Sequence, residues 1–391
     1  MPKVLRIINR FNLGGITYNV SYLSKYLPNG YETVLIGGPE EEGEESSLFI
    51  PQSLGLKPLV IEEMRRSLNP FKDLLAYRKI KKIIREFKPD IVHTHASKAG
   101  AIGRLAAKAC GVPVIVHTFH GHVFHGYFSP FKTNIFKSIE RYLAKKSNAI
   151  VAISKIQKKE ISEIHQICEE TKIHVIPLGF DLEKFSLEHD SKRKIYREKL
   201  QLKEDELALG IIGRLAPIKN HKLFVDGLEF AKKNSNHKKL KGIIIGDGEL
   251  RTEIENYILS KGMSFKGENA DFIFAGWEKE VYKALPGLDL VCLTSDNEGT
   301  PVSLIEAQAA GKFVVSTNVG GIQDILNPKC GFLSEKGDHK TYCTNLLNAI
   351  SNFETLNKQA TIAQTEVIQK FSYKRLCSEM DLLYKELMGT A

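Results

Sequence analysis

Short runs of β-branched and apolar residues alternate with helical patterns along the 391-residue chain, and this alternation constrains the fold most strongly. Strand-like runs occupy residues 4–8, 32–36, 91–94, 114–118, 149–153 and 174–177, and a second series occupies 208–212, 242–245, 272–274, 290–293 and 313–316. Strands separated by helices are typical of parallel sheets. We therefore predict an α/β protein with two doubly wound, Rossmann-like domains.

The boundary between these domains is predicted in a turn-rich, charged segment at residues 179–192. A chain of this length exceeds one ordinary core. We predict a first domain at 1–180, completed by a C-terminal helix at 373–391, and a second domain at 181–372. Because ligands of open parallel sheets bind beyond the carboxyl ends of the strands, we expect the site in the cleft between the domains.

The composition limits the class of protein. The hydrophobic share of 42% and the charged share of 26% are those of a globular protein. No stretch approaches the roughly 20 apolar residues that span a bilayer, and the N-terminus lacks the pattern of a signal peptide. The six cysteines form no CxxC pair, which indicates reduced thiols. We expect a cytoplasmic protein.

Positive charge is concentrated in the first half of the chain. Residues 1–180 hold 26 Lys and Arg against 16 Asp and Glu, whereas the remainder holds 29 against 30. Within 124–146, aromatic residues alternate with the bases Lys132, Lys137, Arg141, Lys145 and Lys146. The stretch fits a helix with an aromatic core stripe, an anionic membrane surface or a nucleic acid. Because no nucleic-acid motif is present, we predict peripheral membrane contact and no nucleic-acid partner.

Two glutamates flank a turn and a predicted helix start in Asn297-Glu298-Gly299-Thr300-Pro301-Val302-Ser303-Leu304-Ile305-Glu306. Gly299 permits a tight turn and Pro301 suits the first helical position, so free N–H groups are expected there. Glu298 lies in the loop and Glu306 about one and a half turns into the helix, so both can face one ligand. Such a pair binds sugar or ribose hydroxyls; the alternative is a capping loop with a solvated glutamate.

Two cations lie in the loop after the first strand of the second series, within Gly213-Arg214-Leu215-Ala216-Pro217-Ile218-Lys219. Gly246-Asp247 and Gly276 follow the next two strands, where such turns also serve any strand-to-helix connection. Gly14-Gly15 follows the first strand of the chain. That turn either brings backbone N–H groups to a phosphate or simply connects strand and helix.

Histidines cluster at positions 93, 95, 117, 120, 122 and 125. His93 and His95 share a strand face, so a zinc site is one alternative, although no cysteine accompanies them and carboxylates are sparse. The other alternative uses His120, which ends a strand and would be carried into the cleft. Lys98 lies in a strand-to-helix turn. We predict no metal.

These motifs resemble those of the family 4 retaining glycosyltransferases, of the bacterial surface-polysaccharide type and the GT-B fold. The resemblance spans nearly the whole chain and rests on the Glu298–Glu306 spacing and the Arg214–Lys219 loop. It implies that Arg214 and Lys219 bind the donor diphosphate and that His120 lies beside the transferred sugar. Gly14 and Gly15 would approach the donor phosphates, and Gly246, Asp247 and Gly276 the nucleotide. Lys98 would contact the acceptor or hold the loop, and His95 is a second predicted acceptor contact. No Asp-x-Asp occurs in the sequence, in agreement with a metal-free mechanism.

We therefore predict a retaining hexosyltransferase without cofactor or metal, with His120, Glu298, Arg214 and Lys219 as catalytic residues. It would move a hexose or N-acetylhexosamine from a nucleotide diphosphate, UDP by resemblance, to a polyprenyl-linked glycan in lipopolysaccharide or capsule synthesis. Glu298 and nearby backbone amides would hold the sugar, and Glu306 the ribose. Gly299, Thr300 and Pro301 would belong to the same donor-binding site. The alternatives are a sugar-nucleotide 2-epimerase of the same fold and a non-catalytic nucleotide-sugar-binding partner.

Overall fold

The computed structural model describes residues 1–12, 14–28, 30–42, 45–65, 67, 69–121, 130–237 and 239–389. The chain divides into two compact units. The first consists of Met1–Phe180 together with the segment from Phe371 onward, and the second consists of Asp181–Lys370.

The first unit is built on a parallel sheet of seven strands among the described residues, in the order β3-β2-β1-β4-β5-β6-β7. The chain winds outward in both directions from the neighbouring strands β1 and β4, so a crevice opens at their carboxyl ends. The strands are β1 (Lys3–Arg10), β2 (Glu32–Gly38), β3 (Leu59–Val60), β4 (Ile91–His95), β5 (Val114–Phe119), β6 (Ala149–Ala152) and β7 (Ile173–Val175).

Helices cover both faces of this sheet. They are α1 (Gly15–Tyr26), α2 (Phe49–Ser53), α3 (Pro70–Phe87), α4 (Ser97–Ala109), α5 (Pro130–Lys146) and α6 (Lys155–Lys159). Helix α3 shows why they form where they do. Its start is fixed by Asn69, whose side chain accepts a hydrogen bond from the Lys72 N–H at 3.1 Å, and by Pro70 at the first position. It ends where Lys88 adopts a left-handed conformation.

The second unit repeats the architecture with six described parallel strands, in the order β10-β9-β8-β11-β12-β13. The winding reverses between β8 and β11, which places the loops after these two strands at the corresponding crevice. The strands are β8 (Leu207–Ile212), β9 (Leu240–Ile245), β10 (Phe272–Gly276), β11 (Leu290–Leu293), β12 (Phe313–Asn318) and β13 (Gly331–Glu335).

The helices of the second unit connect and cover these strands. They are α7 (Glu183–Ser186), α8 (His189–Lys199), α9 (His221–Asn234), α10 (Arg251–Ser260), α11 (Val281–Ala284), α12 (Val302–Ala309), α13 (Ile322–Ile325), α14 (His339–Ser351) and α15 (Phe353–Lys370). None of the described helices in either unit is both long and apolar enough to cross a membrane.

The chain then returns to the first unit as α16 (Tyr373–Met388). The Phe180 N–H donates to the Phe371 carbonyl at 2.8 Å, and the Tyr373 N–H donates back to Phe180 at 3.0 Å. The buried face of α16, including Leu376 and Tyr384, packs in one cluster with Val4 and Ile91 of the first sheet. This helix is therefore part of the first unit's core.

The prediction of two doubly wound α/β sheets is confirmed. The sequence patterns did not predict β3 and β13, because β3 is a two-residue exposed strand and β13 mixes half-buried and polar positions. They also left out α14 and α15, which lie between the last predicted strand and the C-terminal helix.

Candidate active site

In the second unit, the loops after β8, β9 and β10 are joined by backbone hydrogen bonds. The Gly246 N–H donates to the Gly276 carbonyl at 2.8 Å, and the Leu215 N–H donates to the Asp247 carbonyl at 3.0 Å. Gly246 has φ +138°, and a Cβ there would lie 2.0 Å from the Gly213 carbonyl oxygen. Gly246, Asp247 and Gly276 thus support the loop that carries Arg214.

Lys219 is fixed by the loop after β11. It ends a 3₁₀ turn, and its carbonyl accepts a hydrogen bond from the Thr294 hydroxyl at 2.9 Å. The Asp296 N–H donates to the neighbouring Ile218 carbonyl at 2.8 Å. Two loops that are about 75 residues apart in sequence are thereby joined beside the switch point of the sheet.

Glu298 and Lys219 form an ion pair. The Lys219 Nζ lies 2.5 Å from Glu298 Oε1, and the Ser295 hydroxyl donates to the same oxygen at 2.7 Å. Both side chains are largely but not completely buried. The structure therefore brings together one predicted cation and one predicted carboxylate.

The backbone beneath Glu298 and Gly299 is held by a glycine pair that sequence reasoning missed. The Gly321 N–H donates to the Gly299 carbonyl at 2.9 Å. Gly320 has φ +56°, and a Cβ there would lie 1.7 Å from the Glu298 carbonyl oxygen. The signal that could have found it is the Gly-Gly pair directly after the predicted strand at 313–316.

Glu306 lies in α12, which begins at Val302 with Pro301 as its N-cap and with Thr300 just before it. Its side chain is half-buried, and burial raises the pKa of the Glu306 carboxyl to about 7. No described side chain donates a hydrogen bond to this carboxyl group. Glu306 is thus a poorly solvated acceptor for hydroxyl groups near the free N–H groups of a helix start.

Arg214 is less constrained than Lys219. Its side chain is 60% exposed and lies 3.8 Å from a carboxylate oxygen of Glu249, which is also exposed. A pair of this kind contributes little to stability. The Arg214 guanidinium can therefore turn towards an anionic ligand at small energetic cost.

In the first unit, Gly14 and Gly15 form the turn from β1 into α1. Gly14 is exposed at the N-cap of α1, and an added Cβ would meet no atom within 4 Å. Behind the turn, the Thr17 hydroxyl donates to the Asn12 carbonyl at 3.3 Å and accepts from Ser47 at 3.0 Å. The start of α1 therefore presents unpaired N–H groups from a supported turn.

The histidines of β4 and the loop after β5 lie in direct contact. The rings of His93 and His95 stack with centroids 4.2 Å apart, and His95 Nδ1 lies 2.9 Å from His120 Nε2. Burial lowers the pKa of His120 to about 4, so this ring is neutral near pH 7. His120 Nδ1 has no hydrogen-bond partner among the described residues.

The zinc alternative finds no support in the described part of the chain. His117 points to the other face of the sheet, where its Nδ1 lies 2.8 Å from the Thr94 hydroxyl. No group of three or more His, Cys, Asp or Glu among the described residues could hold a metal ion. His122 and His125 lie outside the described residues.

Lys98 holds a loop. Its ammonium donates to the carbonyl oxygens of Arg65 at 2.8 Å and Ser67 at 2.5 Å and lies 2.6 Å from Asp73 Oδ1. Lys98 thus donates two hydrogen bonds to the loop and forms one ion pair beside it. This fits the second of the two roles predicted for Lys98, and its contact with an acceptor stays a prediction. His95 is fully buried, and its predicted acceptor contact likewise stays a prediction.

Two family descriptions match the chain in succession: Glycosyltransferase Family 4 over residues 13–184 and Glycosyl transferases group 1 over residues 192–366. The UDP-Gal:alpha-D-GlcNAc-diphosphoundecaprenol alpha-1,3-galactosyltransferase of Escherichia coli is 29% identical over 337 residues, which are 85% of this chain and 84% of that protein. The capsular polysaccharide biosynthesis glycosyltransferase CapM of Staphylococcus aureus is 26% identical over 331 residues, which are 83% of this chain and 84% of CapM.

Solved structures show the same fold. Anabaena Alr3699/HepE, crystallised with UDP, superposes with a TM-score of 0.81 at 18% identity, covering 98% of this chain and 100% of HepE. The lipopolysaccharide outer core galactosyltransferase WaaB superposes with a TM-score of 0.71 at 17% identity, covering 98% of this chain and 99% of WaaB. The GT-B fold predicted from the resemblance is therefore confirmed. Since the two family descriptions account in turn for both halves of the sequence, the chain belongs to the family 4 glycosyltransferases and is a sugar-transferring enzyme.

Proposed function

We propose that the enzyme transfers a hexose or N-acetylhexosamine from a UDP-sugar to a lipid-linked glycan during cell-surface polysaccharide synthesis, with retention of anomeric configuration. The activity for which the E. coli relative is named supports both a UDP-sugar donor and a diphosphoundecaprenol-linked acceptor. Complexes of HepE with UDP and with UDP-glucose also support the donor. The observation that carries the proposal is the Lys219–Glu298 pair beside the start of α12.

The second unit binds the donor in this proposal. Lys219, Arg214 and the first N–H groups of α12 stabilise the charge that develops on the leaving diphosphate, so no metal ion is needed. When the diphosphate takes over Lys219, the Glu298 carboxylate is released to accept hydrogen bonds from sugar hydroxyls. Glu306 accepts from the ribose hydroxyls. Gly246, Asp247 and Gly276 hold the phosphate-binding loop in place.

The first unit contributes the acceptor side and His120. The Gly14–Gly15 turn binds a phosphate oxygen through the N–H groups of α1, and His120 contacts the transferred sugar. The proposed mechanism uses none of the described carboxylates as a covalent nucleophile. The acceptor hydroxyl attacks from the face that the diphosphate leaves, and a phosphate oxygen takes its proton. Attack on that face retains the anomeric configuration.

Helix α5 supports the membrane part of the proposal, because its exposed face is apolar. Phe131, Ile135, Ile139 and Tyr142 lie on one stripe, and their exposed fractions run from 43% at Ile139 to 76% at Phe131. The stripe is therefore not the core stripe that an ordinary helix would bury. Phe124, Tyr127 and Phe128, which belong to the same predicted pattern, lie outside the described residues.

Basic residues border this stripe, whereas the single acidic residue of α5 is buried. Lys132 and Lys145 are exposed at its two sides, and the Lys146 ammonium lies 4.4 Å from the centroid of the Tyr142 ring. Glu140 is paired with buried Arg104 at 2.7 Å. An apolar stripe between lysines suits the interface of an anionic bilayer, where each basic residue contributes about 1 kcal/mol.

The donor and acceptor are tested by incubating the purified enzyme with UDP-hexoses, UDP-N-acetylhexosamines and GDP-mannose, each with a polyprenyl-diphosphate-linked GlcNAc acceptor. We expect transfer from one UDP-sugar, retention of configuration by NMR, and unchanged rates in excess EDTA. Transfer from GDP-mannose alone would contradict the UDP-sugar donor, and inversion would contradict retention. Activity that is lost in EDTA and restored by manganese would contradict the metal-free mechanism. Free epimerised product would indicate an epimerase instead.

Membrane contact is tested by flotation with vesicles of phosphatidylglycerol and phosphatidylcholine. The protein should bind at low salt, lose binding as salt rises, and bind weakly when Lys132, Lys137, Lys145 and Lys146 are changed to Gln together. Arg141 is left intact because it donates to the carbonyls of His165 and Gln166. The control variant carries the same change at four exposed lysines of the second unit: Lys222, Lys283, Lys329 and Lys340. Equal binding by both variants would exclude α5.

A further inference from the structure

Helices α3, α4 and α5 lie side by side on one face of the first sheet. They connect β3 to β4, β4 to β5 and β5 to β6, which all run in the same direction across the sheet, and right-handed connections of this kind cover the same face. Helix α4 contacts both neighbours, and its Arg104 is paired with Glu140 of α5 at 2.7 Å. We refer to the three helices as the helix layer; its outer surface is the one turned away from the sheet.

All three helices of the layer point the same way. Each is followed within a few residues by the next strand, since α3 ends at Phe87 and β4 begins at Ile91. The helices therefore end where the strands begin, and they start at the carboxyl ends of the strands, where the crevice of the first unit opens. A surface at the start of α3 or α5 thus lies at the same edge of the unit as that crevice.

The start of α3 exposes a group of large apolar side chains. Phe71 is 82% exposed, and Leu74 and Leu75, which lie on the same side of the helix, are also exposed. The turn that carries Phe71 is fixed by Asn69 as the N-cap and by Pro70, so the ring is held outward by a regular helix. Contiguous exposed apolar groups mark interaction surfaces. We refer to Phe71, Leu74 and Leu75 as the α3 tip.

Basic residues continue the stripe of the α3 tip towards the end of the helix. With 3.6 residues per turn, Arg78, Lys82 and Arg85 lie in line with Phe71, and all three are exposed. Among the described residues, neither Arg78 nor Arg85 forms an ion pair, while Lys82 lies 3.8 Å from Glu86. We refer to Arg78, Lys82 and Arg85 as the α3 bases. One face of α3 is therefore apolar at its start and cationic along the rest.

The charge of the helix layer favours an anionic partner with an apolar interior. The three helices hold 14 Lys and Arg against 3 Asp and Glu, of which Glu140 is buried and Asp73 lies 2.6 Å from the Lys98 ammonium. A nucleic acid would match the charge but leave the α3 tip in water. A second copy of this face would bring the same positive charge. An anionic bilayer matches both parts, because its phosphates cover a hydrocarbon interior.

We propose that the α3 tip enters the headgroup region of an anionic bilayer while the α3 bases bind lipid phosphates, so that α3 and α5 form one membrane footprint. This deepens the membrane contact proposed for α5 and rests on that part of the proposed function, but other residues carry it. Because packed helices lie about 10 Å apart and α4 lies between, the two lines of contact are about 20 Å apart. Two separate lines fix the tilt of the first unit, with its crevice edge next to the bilayer.

Insertion of the α3 tip is tested with a fluorescent reporter in the full chain, whose only tryptophan is Trp277. In a Trp277→Phe background, Phe71→Trp reports on the tip, and Ile362→Trp is the matched control, because Ile362 is 75% exposed on α15 of the second unit. The vesicles contain phosphatidylglycerol and phosphatidylcholine with brominated acyl chains. We expect the Phe71→Trp reporter to shift to shorter wavelengths and to be quenched, and the control to stay unchanged. Equal behaviour of the two would overturn the proposal.

A third reporter, Ile135→Trp on α5, separates the two helices. Quenching of all but the control would support the footprint. Quenching of Ile135→Trp alone would overturn the contact of α3, whereas quenching of Phe71→Trp alone would support the α3 tip and overturn the contact of α5. A spectral shift of Phe71→Trp with protein concentration, without vesicles, would assign the tip to a second copy and overturn the proposal. Sugar transfer enters none of these measurements, so the proposed activity can fail separately.

The apolar and the basic part of α3 should respond differently to salt. Changing the α3 tip to Gln at all three positions should lower vesicle binding at least about tenfold at every salt concentration, because apolar burial is not screened. Changing the α3 bases to Gln should weaken binding at low salt and flatten its salt dependence. Thermal melts show whether each variant is folded. A tip variant that binds as well as the control would overturn the proposal. The control carries Gln at three exposed apolar positions of the second unit: Ile195, Leu259 and Ile362.

Discussion

Two side chains of the second unit neutralise one another. Lys219 is paired with Glu298, so neither charge is free for another partner. Arg214, by contrast, has only a weak exposed partner. In the proposed mechanism an anionic diphosphate competes with Glu298 for Lys219, and its binding makes the Glu298 carboxylate available beside it.

Lys219→Ala should lower kcat/KM by a factor on the order of 100, because it removes the cation that stabilises the charge developing on the leaving diphosphate. Glu298→Gln should weaken the UDP-sugar more than UDP itself. The double variant should lose less than the two single losses combined, since residues in contact are not additive. The control is Lys222→Ala, which removes a lysine of the same unit that is also paired with a glutamate, Glu253. Unchanged transfer in folded Lys219→Ala would remove this residue from the mechanism.

Glu306 should make donor binding depend on pH. Burial raises its pKa to about 7, so it is largely protonated at pH 6 and ionised at pH 8. The ionised form is the stronger acceptor for ribose hydroxyls, so affinity for a UDP-sugar should rise roughly five- to tenfold from pH 6 to pH 8. Glu306→Gln should remove this rise. Calorimetry with a UDP-sugar measures this affinity, because the diphosphate of the ligand does not titrate between pH 6 and pH 8. If the affinity of Glu306→Gln still rises with pH, another group causes the rise.

Whole elements differ in how far the sequence predicts them. The strands with continuous apolar runs, such as β8 and β11, were predicted to within a residue, because full burial leaves a strong pattern. Edge strand β13 leaves no such pattern. The site is less predictable still. The loops that carry Arg214 and Glu298 and the helix that carries Glu306 could be recognised, but the contacts that hold them, such as Gly320 beneath Glu298, depend on distant segments.

Gly320, which follows β12, offers a test of how this segment supports Glu298. Gly320→Ala would press a methyl group on the Glu298 carbonyl in a left-handed backbone, so we expect at least a tenfold loss of kcat/KM and a loss of stability greater than about 1 kcal/mol. Gly337→Ala is the control for backbone strain alone: Gly337 also has a positive φ, of +83°, but its Cβ position is open. It should lose about 1 kcal/mol of stability and keep full activity. Equal activities would show that Glu298 tolerates the displacement.

For the whole molecule, buried histidines make stability sensitive to acid. Burial lowers the pKa of His93, His95 and His117, and lowers that of His120 to about 4. The unfolded chain takes up protons near pH 6.5, before these native rings do, so stability is present above pH 6.5 and is lost as the pH falls towards the native pKa values.

His221, whose pKa burial also lowers to about 4, acts in the same direction as these histidines, while the raised pKa of Glu306 opposes them. From pH 7 to pH 5.5 we expect a net loss of unfolding free energy, on the order of a few kcal/mol, measured by urea denaturation at both pH values. Carboxylates with lowered pKa values do not contribute here, because they titrate below about pH 4.5. A flat profile would mean that the rings are protonated in the native protein.

The division of the chain also sets an order of events during synthesis. The second unit is one continuous segment, so it can fold as soon as its residues leave the ribosome. The first unit has its seven strands early but must wait, through the translation of 181–370, for α16 to fill its core. Until then the places of Tyr384 and Leu376 stay open beside the early sheet, so apolar residues of the first core remain exposed to water until α16 has been made.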